Sequence, residues 1–451
     1  MANILFLILP YPGCLAATLD LAERLRARGH AVSYLGMADS EEAVCAQGFS
    51  FTPLFERRFP KGFYAETEAL ESLPFGLASL RAQRRFIARL HAFAADLQGE
   101  SGEEFRLALQ RLAPDLVIFA STDLWIEWTA FIAHAAGVKS IYFHDSLTSS
   151  AKSGLPPIFT ALIPDGGLLS RFRIAAAWRW FALQIKLQSW LLRPLGLDLD
   201  FEGVRRRLAA HCGYRLSRAD HDRKAPRLTE LVAWPIAFEF PGAETAERHY
   251  VGASIHRKRR EPPFPWNRLD AQKPLVYCAM GTLVFSTKET YRRFFQAVVD
   301  LARSRPERQW VIAIGAAIDP EDLRDVPADV VIVRQAPQLQ LLQRAHLMIT
   351  HGGANTVKEC IAFGVPMVSF PLGCDHPGNS ARLVFQGLGL RADIQKASAP
   401  YLGRLIDALE ADEGLRPRMK AMQASFQALE EAETAPRMVE AILRGESLDD
   451  P

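Results

Sequence analysis

The sequence predicts an α/β chain built on two doubly wound parallel sheets. Three observations carry that expectation. At 451 residues the chain is longer than one hydrophobic core usually serves. A strand–turn–helix–strand alternation opens near Ile4 and opens again near Leu275, as crossover helices between parallel strands require. Between His346 and Asn379, HLMITHGGANTVKECIAFGVPMVSFPLGCDHPGN packs strand, glycine turn, helix, strand and polar turn into one unit.

Ile4 to Leu9 is a continuous apolar run, the pattern of a parallel strand buried on both faces. Pro10-Tyr11-Pro12-Gly13 breaks it, and helical periodicity runs from Leu15 to Arg28 before Gly29-His30. AVSYLG follows as a second strand. This is the opening of a Rossmann-like sheet. The first residues look like an apolar leader, but they lack a basic start and contain two prolines, so a buried strand is expected. Residues 56–105 carry little motif content. Leu116 to Ala120 is another buried strand, and Ser121-Thr122-Asp123 lead into the helix LWIEWTAFIAHAAG. Asp123 is a good helix N-cap. IYFHDS ends a further strand and brings His144 and Asp145 to the same sheet edge.

Residues 168–195 combine tryptophans and leucines with Arg171, Arg179, Lys186 and Arg193 on one helix face. Two readings stay open. One is the wall of an apolar ligand pocket with a solvated basic stripe. The other is peripheral membrane contact through residues 168–195. Both imply a hydrophobic partner molecule. Residues 253–273 are rich in Pro, Arg and Lys and read as a linker with a solvated basic cluster.

The second half repeats the alternation through LVYCAMGT, QWVIAIG and VVIVRQA. Its chemistry concentrates at His351-Gly352-Gly353. Paired glycines let the backbone approach a ligand closely, and Asn355 and Thr356 are residues that open helices. A helix N-terminus there favours a pyrophosphate. His351 can add a donor, Glu359 can accept from a ribose diol, and Asp375-His376 sit where the next strand ends.

Composition excludes other classes. A formal net charge of +2 argues against a dedicated nucleic-acid partner. Six cysteines with no CxxC pair suggest a reducing, cytoplasmic setting and no structural zinc. No apolar run reaches the ~18 residues that span a bilayer.

HGGANTVKE followed by PLGCDHPGN resembles the donor-binding signature of the inverting GT-B glycosyltransferases, the UDP-glycosyltransferase and bacterial natural-product family. The resemblance implies two Rossmann-like domains facing across a cleft. The implied boundaries are 1–252 for an acceptor-binding domain, 253–273 for the linker, 274–430 for the nucleotide-sugar domain and 431–451 for a helix returning to the N-terminal domain. It implies transfer of a sugar from a UDP- or dTDP-sugar to a hydroxyl of a hydrophobic or lipid-like acceptor. No cofactor and no metal are expected. Localisation would be cytoplasmic, with the inner face of the membrane as the second setting.

Carried over residue by residue, the donor site comprises Gly281, Thr282, Gln335, Ala336, His351, Gly352, Gly353, Asn355, Thr356, Glu359, Asp375 and His376. Gly13, Cys14, His144 and Asp145 fall to the acceptor pocket, with Asp123 and His351 as catalytic candidates. The chain departs from the family at three points. Cys14 stands where the family's general-base histidine follows a glycine, and a thiol is a poor substitute base. Asp123, at the position of the aspartate that orients that histidine, is then the candidate base. Gln335 replaces a tryptophan that stacks on the nucleotide base, and His376 replaces a glutamine at the sugar. These departures keep two rivals in view: a catalytically impaired nucleotide-binding partner protein, and a nucleotide-sugar epimerase of the same fold.

Overall fold

The computed structural model describes residues 1–72, 76–120, 124–147, 153–198, 200–217, 225–243, 248–281, 286–446 and 448. The first sheet comprises β1 (Asn3–Ile8), β2 (Ala31–Gly36), β3 (Ser50–Pro53), β4 (Leu116–Ala120), β5 (Ser140–His144), β6 (Thr229–Val232) and β7 (Arg248–Tyr250). Around it lie α1 (Pro12–Ala27), α2 (Glu41–Ala46), α3 (Phe63–Ser72), α4 (Leu77–Asp96), α5 (Glu100–Leu112), α6 (Leu124–Ala135), α7 (Leu168–Leu192) and α8 (Phe201–His211). The second sheet comprises β8 (Leu275–Ala279), β9 (Gln309–Ala313), β10 (Val330–Val333), β11 (Ala345–Thr350), β12 (Met367–Ser369) and β13 (Gly389–Arg391). Its helices are α9 (Lys288–Ser304), α10 (Gln338–Leu342), α11 (Ala354–Ala362), α12 (His376–Phe385), α13 (Ala399–Glu410), α14 (Leu415–Glu431) and α15 (Thr434–Arg444).

Both sheets are parallel, in the orders β3-β2-β1-β4-β5-β6-β7 and β10-β9-β8-β11-β12-β13. The two doubly wound sheets expected from the sequence are therefore present. Strand alternation explains why the runs are apolar throughout. Leu5 and Leu7 of β1 join a core with Phe93, Phe105 and Trp128 on one face. Ile4, Phe6 and Ile8 join Leu19, Leu25 and Val439 on the other. A strand buried on both sides cannot show a polar period. The second sheet is covered in the same way, by α11 and α14 on one face and by α9 and α13 on the other.

Some expected boundaries move. The strand read from MVSFPL is only Met367–Ser369, because Pro371 and the turn after it leave the ladder. Parts of the 253–273 stretch pack on both domains, while Arg257, Lys258, Arg260 and Arg268 are exposed. Ala253 and Ile255 are buried with Trp234 and Phe426. Arg257 pairs with Glu430 at 3.2 Å, and Arg259 makes a bidentate pair with Glu359.

α15 packs on the first sheet through Ala435 and Val439. Its Glu440 accepts from Arg28 Nε at 2.8 Å and Nη2 at 2.7 Å and lies 3.2 Å from His30 Nε2. The Arg28 hydrogen bonds, followed by His30, hold the Glu440 carboxyl down at about 2. A depressed carboxylate stabilises the fold above its unfolded value of about 4.3, and that contribution disappears as pH falls through the folded value. Hydrogen exchange should therefore show α15 losing protection between about pH 4 and 2, and Glu440→Gln should remove that pH dependence. Unchanged protection of α15 across this window would contradict the pairing.

Candidate functional site

Strand order reverses between β1 and β4 in one sheet and between β8 and β11 in the other. Ligands of open α/β sheets bind at the carboxyl ends of strands at such switch points. After β1 the start of α1 holds Gly13-Cys14, the turns after β8 and β11 hold Gly281 and His351-Gly352-Gly353, and β12 leads through Asp375 to His376 at the start of α12. Asp123 and Thr282 lie outside the described residues.

His351 occupies a slot that only glycine leaves open. A Cβ on Gly281 would stand 2.7 Å from its Nε2, and one on Gly353 would stand 2.3 Å away. The His376 ring lies edge-on at 4.5 Å between centroids, and Thr350 Oγ1 lies 3.4 Å from Nδ1. Burial pulls the His351 pKa down to about 3, His376 adds to the shift, and a backbone hydrogen bond at Ala279 opposes it. The imidazole is neutral at physiological pH. Burial also lowers His376, against the pull of Asp375.

Gly352 has φ +83°, and a Cβ there would meet Ser369 Oγ at 2.5 Å and Ser380 Oγ at 2.7 Å. Those hydroxyls share a 2.6 Å hydrogen bond. Asn379, fully buried, donates to the Gly352 carbonyl at 3.1 Å and to Asp375 Oδ2 at 3.0 Å. One amide thus locks the glycine turn to the Asp375 turn. The sequence signal for this role is the place of Asn379 one helical turn after Asp375.

α11 begins at Ala354 behind Gly353, which has no side chain to cap it. Its first N–H groups remain for a ligand, and the helix dipole favours an anion there. Asn355 does not cap the helix. Its Nδ2 donates to the Gly13 carbonyl at 3.0 Å, which brings the first turns of the two domains together at this point. Gly364, at φ +70°, ends the helix as expected.

Along α11, Glu359 is buried and already engaged. Arg259 donates to both its oxygens, and Gln338 Nε2 donates to Oε2 at 2.6 Å. Burial opposes the Arg259 charge, but Glu359 outweighs it and holds the guanidinium pKa above its ordinary value. Gln338 Nε2 also lies 3.4 Å from Thr356 Oγ1. Glu359, expected from its position to accept from a ribose diol, is thus already paired with Arg259. Gln335 is exposed at the rim of this region and Ala336 half-buried.

Across the cleft, Cys14 is half-buried at the start of α1. His144 is fully buried with Nε2 3.2 Å from Glu230, inside the sheet edge and not on an open wall. Asp145 does face the second domain. Its carbonyl accepts from Lys358 Nζ at 3.2 Å and from Trp234 Nε1 at 3.0 Å. Burial raises the Asp145 carboxyl, with Lys358 opposing and Asp375 reinforcing. Burial likewise lowers Lys358 to about 8. Asp145, Lys358 and Asp375 form one charge cluster between the two strand ends. Lys358 was not singled out from sequence, although it lies within the quoted stretch.

Two parallel doubly wound sheets joined at their switch points define the GT-B fold. Residues 303–441 match the family described as erythromycin biosynthesis protein CIII-like, C-terminal domain. NDP-glycosyltransferase YjiC of Bacillus subtilis (strain 168) is 28% identical over 220 residues, 49% of this chain and 54% of that protein. The chain thus spans about half the length of this curated relative. Demethyllactenocin mycarosyltransferase of Streptomyces fradiae is 25% identical over 452 residues, 98% of this chain and 87% of that protein. Among solved structures, the glycosyltransferase of kitacinnamycin superposes with a TM-score of 0.71 at 20% identity, covering 99% of each chain. Glycosyltransferase VinC, solved in complex with dTDP, gives 0.63 at 17% identity over 98% of each chain. Residues 303–441 thus resemble the C-terminal domain of that family, and the whole chain shares the two-sheet fold of these solved structures.

Proposed function

We propose that this protein transfers a sugar from a UDP- or dTDP-sugar to a hydroxyl of a hydrophobic acceptor, with inversion at the anomeric carbon. The observation that carries the reading is the uncapped N-terminus of α11, with the His351 imidazole held against Gly281 and Gly353 and with Asn355 reaching Gly13. A diphosphate placed there meets free N–H groups and the positive end of a helix. As the glycosidic oxygen leaves, the charge that develops on the diphosphate falls on donors already in position, without reorganisation. Asp375 and His376 reach the sugar hydroxyls, and the acceptor enters from the Cys14 and Asp145 side. Relatives named demethyllactenocin mycarosyltransferase and oleandomycin glycosyltransferase support a small-molecule acceptor.

A melting-temperature series with UDP, dTDP and GDP tests the donor. A ligand that binds only the folded form raises the transition in proportion to the logarithm of its concentration over Kd. A shift with UDP or dTDP and none with GDP is expected. The base is assigned to Asp123 by position, with a proton transfer of the kind that contributes about 10²–10⁴-fold. Asp123→Asn should lower kcat more than Cys14→Ala, and the reverse order would move the role to the thiol. One observation favours a second reading: with Cys14 in the histidine's place, a nucleotide-binding protein that does not catalyse also fits. Glycoside product from purified protein separates the two.

A further inference from the structure

α7 carries an apolar surface that the fold leaves uncovered. At about 100° per residue, Phe172, Trp180, Leu183, Leu187, Trp190 and Leu191 fall within about 100° of arc. All six are 51–71% exposed. Along its first half the opposite side packs on its own domain, while further on Ile185 is exposed. Ile174 is buried, Phe181 lies 4.2 Å from Phe159 between centroids, and Trp178 Nε1 donates to the Leu155 carbonyl at 2.9 Å. The helix is therefore apolar on two opposite sides, and the two cancel in any single amphipathic pattern. A lone exposed leucine needs no explanation, but a row of aromatics and leucines along a helix marks an interaction surface.

Charge indicates the partner. All five charged residues between 168 and 195 are basic: Arg171, Arg173, Arg179, Lys186 and Arg193. Arg179, Lys186 and Arg193 border the apolar row on one side, and Arg173 lies on the other. A second copy of the chain would press like charges together with no acidic residue of the helix to pair them. An anionic bilayer accepts the row among its acyl chains and the basic borders among its headgroups, with Trp180 and Trp190 at the depth that indole rings prefer. Among the described residues no helix is long and apolar enough to cross a membrane, so α7 would lie in the surface.

We propose that the outer face of α7 docks the protein on an anionic lipid surface and sets the mouth of the cleft against it. The inner face leads to the site. Next to Phe159, the Ile158 carbonyl lies where a Cβ on Gly378 would be 2.2 Å away, two residues beyond His376. Arg391 holds the Ala161 carbonyl at 2.7 Å. A lipid-dissolved acceptor would leave the bilayer beside the Asp375–His376 turn; this last step rests on the glycosyl-transfer reading, and the docking does not.

The test is co-sedimentation of the full chain with phosphatidylcholine vesicles, with and without about a third phosphatidylglycerol. Partition onto the anionic vesicles should be at least about tenfold higher and should weaken with salt. Trp180→Ser with Trp190→Ser, and separately Arg179→Gln with Lys186→Gln, should each reduce it about tenfold or more. These positions are exposed, so the UDP or dTDP melting shift should not change. Equal or negligible partition onto both vesicle types overturns the proposal. So does a concentration-dependent dimer that the same substitutions disperse. Vesicle binding without any nucleotide shift supports docking and counts against the donor site alone.

Discussion

His351→Ala should lower turnover by roughly 10²–10³-fold, the usual effect of removing one preorganised donor from a site of developing negative charge. The ring is held closely in place, because Gly281 and Gly353 bring bare backbone to its Nε2 side. Gly353→Ala should do comparable damage from the other direction, since its Cβ would stand 2.3 Å from Nε2. The protonation state adds a second readout. In the unliganded fold burial keeps His351 at about 3, so it is neutral at pH 7. The depressed histidine stabilises the fold above the unfolded value of about 6.5, and this is lost as pH falls towards 3. A diphosphate against the ring favours the charged form, so nucleotide binding should take up protons and tighten as pH falls. Calorimetry in two buffers of different ionisation enthalpy measures that uptake, and His351→Ala should abolish it. Full turnover in the alanine variant would remove His351 from the mechanism.

Arg382→Met should destabilise the protein by about 3–5 kcal/mol. Arg382 and Glu239 are both fully buried, with side chains at 0% exposure. Arg382 Nε donates to Glu239, Nη1 donates to the Gly378 carbonyl at 3.0 Å, and the guanidinium lies 4.5 Å from the Phe240 ring centroid. Removing one partner strands the other charge in the interior. Converting both, as Glu239→Gln with Arg382→Met, should recover part of the loss. Because Gly378 follows the Asp375–His376 turn, the single variant should also raise KM for the donor. Urea denaturation of the three variants decides the point, and a single-variant loss under about 1 kcal/mol would show that the site relaxes around the stranded charge.

What the sequence disclosed is what local patterns encode. The runs at Ile4, Ala31 and Leu116 are strands because both faces are covered, and paired glycines followed by an apolar helical period form the turn and helix read there. Partnerships across long separations were not legible. Glu359 read as a free ribose acceptor, yet its partner Arg259 lies 100 residues away. Asn355 read as a helix opener, yet it bonds Gly13 across 342 residues. Nothing local distinguishes a solvated arginine from one aimed at a buried carboxylate. The amphipathic reading of α7 suffered the same way: its inner face is covered by Phe159 and the Leu155 carbonyl, which the helix itself does not contain. The helices α3 to α5, in a stretch without motifs, became visible through Phe63, Phe93 and Phe105 in the core.

A crystal soaked with UDP or dTDP tests the central claim most directly. The account predicts diphosphate density against the backbone N–H groups at Ala354 and Asn355, within hydrogen-bonding reach of His351. Nucleotide density elsewhere, with the α11 N-terminus empty at full soak concentration, would contradict it.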